Sequence, residues 1–268
     1  AVHGGGLLSV DFAKDGYLPA QRQVDAPWQD FVPLDDVVMT ALDPSVTEIT
    51  LPGAAIQVAR GSVISDTDGL RQATLFVPPG TEAVMVLPGG ITQTLTTLHV
   101  RATEYTVGDK GPEAMPAELP ANSGYTYAVE LSVDEALAAG AVRVDFNQPV
   151  IHYLENFLNF PTGASIPVGS YDRERGVWVP SDNGQVIEIL SISNGEAILD
   201  TDGDGQPDPG TALGITLTER QQLADLYAAG QSLWRVPIPH FSPHDCNWPY
   251  VPDCDPEVHP CAPDLPTP

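Results

Sequence analysis

Apolar and polar residues alternate with a period of two along most of this chain, and glycines and prolines cut the alternation into short runs. Successive side chains on a strand point to opposite faces, so this pattern buries one face and leaves the other wet. "LLSVDF", "AQRQV", "IQVARGSVIS", "ATLFV", "AVMVL", "TLTTLHVRATEYTV", "YTYAVELS", "VRVDFNQPVIHYLENFL", "GVWVP" and "QVIEILSIS" all follow it, and "FVPLDDVVMTAL" continues it. Turns at Lys14-Asp15-Gly16, "DTDG", "PPGT" and "PGG" separate the runs. With 24 glycines and 27 prolines beside 42% hydrophobic residues, the composition is that of a turn-rich β protein rather than a disordered one. The expected fold is mainly β, two or more β-sandwich-like domains with two short helices and an irregular C-terminal tail.

The helices break the alternation at two places. "VDEALAAG" follows Ser132, which has capping-box spacing to Glu135, and Gly140 is a natural stop. "LTERQQLADLYAAG" places Leu223, Leu226 and Tyr227 on one face and ends at Gly230. Prolines and acids over residues 108–124 suggest a linker. The expected organisation is therefore terminal sandwich strands over 1–48, a first β-sandwich region over 49–120, a second over 121–245, and a Pro/Cys-rich tail over 246–268.

Charge narrows the function. Thirty-six acidic residues against 11 basic ones give a net charge of −25, and Lys14 and Lys110 are the only lysines. Such a surface repels phosphate backbones and anionic membranes, which excludes nucleic-acid binding and fits cation binding or a saline, extracellular setting. No apolar run approaches the length of a membrane span, so no membrane insertion is expected. The opening "AVHGGGLLSV" has neither a basic n-region nor an apolar h-region, and we read it as part of a longer chain entered directly at a strand.

The sharpest local feature is "LDTDGDGQPDPG", residues 199–210. Asp200, Asp202 and Asp204 occupy positions one, three and five of a calcium loop, with Gly205 at six, the carbonyl of Gln206 at seven and Asp208 at nine. Pro207 at eight and Thr211 at twelve, where a bidentate glutamate belongs, rule out a helix–loop–helix calcium hand. The expectation is a stand-alone Ca²⁺ loop between a strand and the helix starting near Thr218, with a further ligand from Glu196 or Glu219. The alternative is a solvated acidic turn, since Asp and Gly are good turn formers.

Several segments resemble the region ahead of the repeats in bacterial Rhs/YD-repeat proteins: "IPVGSYDRERGVWVPSDNGQVIEIL", "LDTDGDGQPD", "LGITLTERQQLADLYAAGQSLWRVPI" and "HFSPHDCNWPY". "GGGLLSVDFAKDGYLPAQRQVDAPWQDFVPLDDVV" is similar to the last strands of a carboxypeptidase-regulatory-like sandwich, and "ATLFVPPGTEAVMVLPGG" resembles a strand-turn of the sandwich found in ankyrins and netrin receptors. The resemblance implies a secreted or cell-surface protein whose N-terminal sandwiches cap, plug or tether a repeat-built shell. No YD-type repeat occurs here. The expected role is thus a non-catalytic, calcium-stabilised structural module whose partners are neighbouring domains of a larger chain.

Three rival readings come from the C-terminal third. His240-Phe241-Ser242 matches the tripeptide of self-cleaving β domains, in which the serine hydroxyl attacks the preceding carbonyl and histidine acts as base; the alternative is a last strand with Phe241 packed inward and the other two facing out. His240, His244, Cys246, Cys254, His259 and Cys261 could supply zinc ligands, although no C-x-x-C knuckle is present; a Cys254–Cys261 or Cys246–Cys261 disulfide is the competing use. Trp178, Trp234, Trp248 and Tyr250 could form a glycan-stacking platform, or pack in a core. Other enzyme signatures fail: "GASIP" around Ser165 lacks the second glycine of a nucleophile elbow, and "GGG" at 4–6 precedes a strand rather than a helix.

Overall fold

A computed structural model describes residues 5–247 apart from 29, 35, 120–123 and 125. The chain begins with a hairpin of β1 (Gly6–Phe12) and β2 (Ala20–Ala26). There follow β3 (Thr47–Thr50), β4 (Gln57–Arg60), the short pair β5 (Ile64–Ser65) and β6 (Leu70–Arg71), β7 (Thr74–Val77), β8 (Ala83–Val86), β9 (Thr92–Leu95) and β10 (Thr97–Glu104). After two single 3-10 turns come β11 (Ala128–Val133), α1 (Asp134–Ala139) and the long β12 (Arg143–Glu155). The last stretch carries β13 (Ser165–Ile166), β14 (Gly169–Asp172), β15 (Val177–Pro180), β16 (Gly184–Ser193), β17 (Glu196–Asp200), α2 (Leu217–Leu226), β18 (Ser232–Phe241) and β19 (Pro243–Asp245).

The protein is mainly β, with two α-helices and several sheets. Two sheets dominate. A six-stranded sheet runs β15-β14-β19-β11-β10-β3, and a nine-stranded sheet runs β13-β16-β18-β12-β7-β4, with β17 added to β16 and β8-β9 added to β12. Their inner faces share one core: Leu98, Val100, Val129 and Leu131 from the first meet Leu75, Val77, Val150, Leu154, Trp234 and Val236 from the second. Burying such side chains, about 1.5–3 kcal/mol each, is what holds two sheets together as a sandwich.

Strand parity then builds a third layer. On β12, Val150, His152 and Leu154 face the shared core, so Ile151 and Tyr153 face the other way; on β18, Leu233 and Arg235 do likewise. The outward set packs under the β16–β17 hairpin and α2 through Ile189, Leu199, Leu223 and Tyr227. Asn194-Gly195, both at positive φ, closes that hairpin as the two-residue turn that "NG" favours. α2 starts at Thr216, whose hydroxyl accepts from Glu219 N while the Glu219 carboxylate accepts from Thr216 N.

The strands do not divide near residue 120. β10 pairs with β11 across that point, and β7 and β8 both pair with β12, so the strands of residues 49–120 and 121–245 interleave in the same two sheets. Alternation says which face of a strand is buried but not which strand lies beside it. The expected linker is also packed. Met115 lies buried against Leu18, Tyr105 and Ala128 on the outer face of the six-stranded sheet, Ala114 beside it is also buried, and Arg22 donates to the carbonyls of Glu113 and Met115. The described residues of 31–42 form no strand, only an isolated bridge at Ala41 to Tyr17, and Phe31 stands in solvent. Ser132 does not cap α1. It lies within β11 opposite Arg101, Val133 takes the cap position with no side-chain bond, and Glu135 turns to His99. Gly140 does end α1, in the left-handed region.

Candidate metal centre

The aspartate loop leaves β17 at Asp200 and is pinned at its far end where Asp208 N donates to Leu199 O at 2.7 Å. This closure makes the loop a compact bend. Asp200, 2% exposed, is its hub: Oδ1 accepts from Asp202 N (3.2 Å) and Gly203 N (2.7 Å), and Oδ2 accepts from Gly205 N (2.8 Å). Gly203 takes a positive φ, and a Cβ there would run into the carbonyl of Thr162, so the bend needs glycine. Asp208 Oδ2 accepts from both the amide and the hydroxyl of Thr201, at 2.7 and 2.8 Å. Those donors hold the Asp208 carboxyl below the usual carboxylate range. The carbonyl of Thr201 is engaged by the Gln185 amide.

Carboxylate oxygens of Asp200, Asp202 and Asp208 lie within 4.8 Å of one another, the only such group of three His, Cys, Asp or Glu side chains among the described residues. No lysine, arginine or histidine of the described residues makes an ion pair with any of the three. Hard oxygen donors at this spacing suit Ca²⁺, which takes six to eight oxygens at about 2.3–2.6 Å. Asp204, expected as a third ligand, is not in the group; its Oδ1 accepts from Gln206 N at 2.7 Å, and both residues are exposed. The proposed extra ligands are committed elsewhere. Glu196 pairs with Arg220 at 3.3 Å, and Glu219 is buried against Arg235 at 2.9 Å and Tyr153 Oη at 2.5 Å. The oxygens left to complete a coordination sphere are backbone carbonyls of the loop and water.

The histidine–serine motif sits where β18 passes into β19. Phe241 packs into the shared core against Phe146, as its alternation requires. Ser242 Oγ lies 3.2 Å from His240 Nδ1, and both line a cleft of about 330 Å³ with Arg143, Asp145 and Arg173. Burial lowers the His240 pKa, so its ring is neutral and able to accept a proton. Ser242 Oγ has a second contact, to Pro243 O at 3.3 Å. His244 is fully buried with Nδ1 2.9 Å from Ser242 O and Nε2 unpartnered; Cys246 is a buried free thiol. The His240 and His244 rings lie together, their centroids 5.3 Å apart, but among the described residues no third ligand, Cys246 included, joins them. Cys254, His259, Cys261, Trp248 and Tyr250 lie outside the described residues. Trp234 is 1% exposed in the core, so it cannot stack a glycan, while Trp178 donates from Nε1 to Glu118 O and rests on Tyr171.

A third polar cluster was not legible from local pattern. Tyr153, Glu219 and Arg235 meet on the outer face of the nine-stranded sheet, brought from β12, α2 and β18. No helix among the described residues is long and apolar enough to cross a membrane. No family model, no curated protein and no solved structure matches the chain.

Proposed function

We propose that this protein is a non-catalytic, calcium-braced β-sandwich module, secreted or at the cell surface, that positions neighbouring domains of an Rhs/YD-repeat-like chain. The observation that carries the reading is the convergence of Asp200, Asp202 and Asp208 around a buried, cation-free carboxylate. Three like charges this close favour a bound positive ion, and a strongly acidic surface draws divalent cations towards it. The loop joins β17 to the segment that leads into α2, so an ion there would stiffen the outer layer against the sheet. Isothermal titration with Ca²⁺ tests this directly. One saturable site, with Mg²⁺ much weaker, is expected; no heat from Ca²⁺ into metal-stripped protein refutes it.

A second reading rests on the 3.2 Å contact between Ser242 Oγ and His240 Nδ1. In a self-processing reaction His240 would take the hydroxyl proton as Ser242 Oγ attacks the Phe241 carbonyl carbon. The Phe241–Ser242 amide bond would give way to an ester, which water then cleaves. Intact-mass measurement decides it. Two fragments divided between residues 241 and 242, restored to one by Ser242→Ala, support processing, and a single full-length mass rules it out.

A further inference from the structure

A cleft of about 570 Å³ lies on the outer face of the nine-stranded sheet beside the N-terminal end of α2, and its lining includes no carboxylate of the aspartate loop and neither His240 nor Ser242. Its volume is in the range of small-molecule sites. One wall is apolar sheet surface from Ile56, Pro78, Ile151 and Pro237; Leu213 and Thr218 stand opposite. Arg235 and Glu219 form the floor, each more than nine-tenths buried.

The chemistry of the floor narrows the ligand. Arg235 Nε donates to Glu219 Oε1 at 2.9 Å and to Tyr153 Oη at 3.2 Å, and Nη2 reaches Glu219 Oε2 at 3.3 Å. Glu219 also accepts from Tyr153 Oη–H at 2.5 Å and from the Thr216 amide. Its acceptor capacity is thus taken up within the protein. Arg235 Nη1 has no hydrogen-bond partner among the described residues. Nη1 is not among the side-chain atoms shut off from solvent without a partner, so it opens to the cleft as a donor that water satisfies and that a ligand oxygen can take over.

Charge excludes the anion that an arginine usually takes. Glu219 already neutralises the guanidinium, and a further negative ligand would enter a protein of net charge −25 with no remaining counter-charge. We propose that this cleft binds a small uncharged carbonyl compound, its oxygen accepting from Arg235 and its apolar body lying between the sheet and the start of α2. Arg235 fixes orientation, and the proline-rich wall supplies contact area.

Three probes sharing one apolar ring separate the contributions: cyclohexanecarboxamide, cyclohexanecarboxylate and cyclohexylmethanol, titrated by ligand-observed NMR against the full chain. The carboxamide is expected to bind at millimolar Kd, at least fivefold tighter than either of the others. Thr218→Trp, at an exposed position on the cleft wall, should abolish the signal; it gives up the 3.0 Å contact to Thr216 Oγ1 but none of the bonds among Tyr153, Glu219 and Arg235. Arg235→Lys should bring the carboxamide to the level of the alcohol; because Arg235 is buried, the Thr218 variant keeps the test decisive if the lysine variant unfolds. No binding by the carboxamide, equal binding by all three, tighter binding of the carboxylate, or carboxamide binding that survives Thr218→Trp would each overturn the proposal.

Discussion

Replacing Asp202 with asparagine should stabilise the aspartate loop, and by much less when a cation is present. Asparagine keeps the Oδ1 that accepts from Asp204 N at 3.1 Å, so the bend is preserved and only charge is lost. The oxygens of Asp200, Asp202 and Asp208 lie within 4.8 Å of one another. Two unit charges at that distance repel by about 1 kcal/mol in a water-like medium. Asp202 takes part in two such pairs and is exposed, so the water-like figure applies and its neutralisation relieves about 2 kcal/mol. In EDTA, Asp202→Asn should therefore be more stable than the parent, with Tm higher by about 4–8 °C. With Ca²⁺ at about 100 times Kd, the parent gains about 2.7 kcal/mol by mass action. A variant that binds tenfold more weakly gains about 1.4 kcal/mol. The gap between the two proteins should then shrink by about two thirds on adding Ca²⁺, to about 0.7 kcal/mol, and further if the variant binds more weakly still. Thermal melts followed by circular dichroism, with each protein in EDTA and in Ca²⁺, read all four values. If the Tm difference is the same in both buffers, the carboxylates are an acidic turn and the metal reasoning is wrong.

Acid should weaken the fold through its buried histidines. Burial depresses His152 to a pKa of about 4 and His244 to about 3, so the unfolded chain takes up protons first as pH falls below 6.5. Their contribution is complete above that pH and is lost towards pH 4, about 3 kcal/mol for His152. Asp245, raised by burial to about 6, and Glu104, also raised by burial, oppose this by regaining stability as pH falls, while His240, lowered by burial, adds to the loss. Urea midpoints against pH should fall on acidification, and His152→Leu should flatten the slope by up to one proton; a flat profile in the parent contradicts the assignment. Arg71 is bound by both Asp66 and Glu104, at 2.8 and 2.6 Å, and covers the Phe157 ring. Arg71→Met should cost about 3–5 kcal/mol by denaturant unfolding, because Glu104 is left buried without its cation. A loss under 1 kcal/mol would show that the pair is dispensable.

What could be read from the sequence was local. The β alternation, the Asn194-Gly195 hairpin, the apolar face of α2 at Leu223 and Tyr227, and the Gly140 stop all depend on neighbours within a few residues. The convergence of Asp200, Asp202 and Asp208 was legible for the same reason, whereas Asp204 was misplaced because the bend turns its side chain to its own loop backbone. Capping shows where local pattern becomes ambiguous. Ser132…Glu135 and Thr216…Glu219 have the same spacing, yet only the second caps a helix, since β11 keeps Ser132 extended and His99 draws Glu135 away. Proline and glutamate made residues 108–119 look like linker although Met115 anchors them. Strand order and the Tyr153–Glu219–Arg235 cluster depend on partners far apart in sequence, and periodicity carries no record of them.

The placement of the last strands has a consequence for how such a chain must be made. β19 lies between β14 and β11, and β18 lies between β16 and β12, so the middle of each sheet is supplied by the final described stretch. The polypeptide is made from its N-terminus, and until Ser232–Phe241 and Pro243–Asp245 emerge, β11, β12, β14 and β16 each wait with a bare edge. Such long-range closure is slow. Synthesis would thus leave both large sheets open until β18 and β19 are made, and a nascent chain stopped short of β18 would be left to chaperones and proteases.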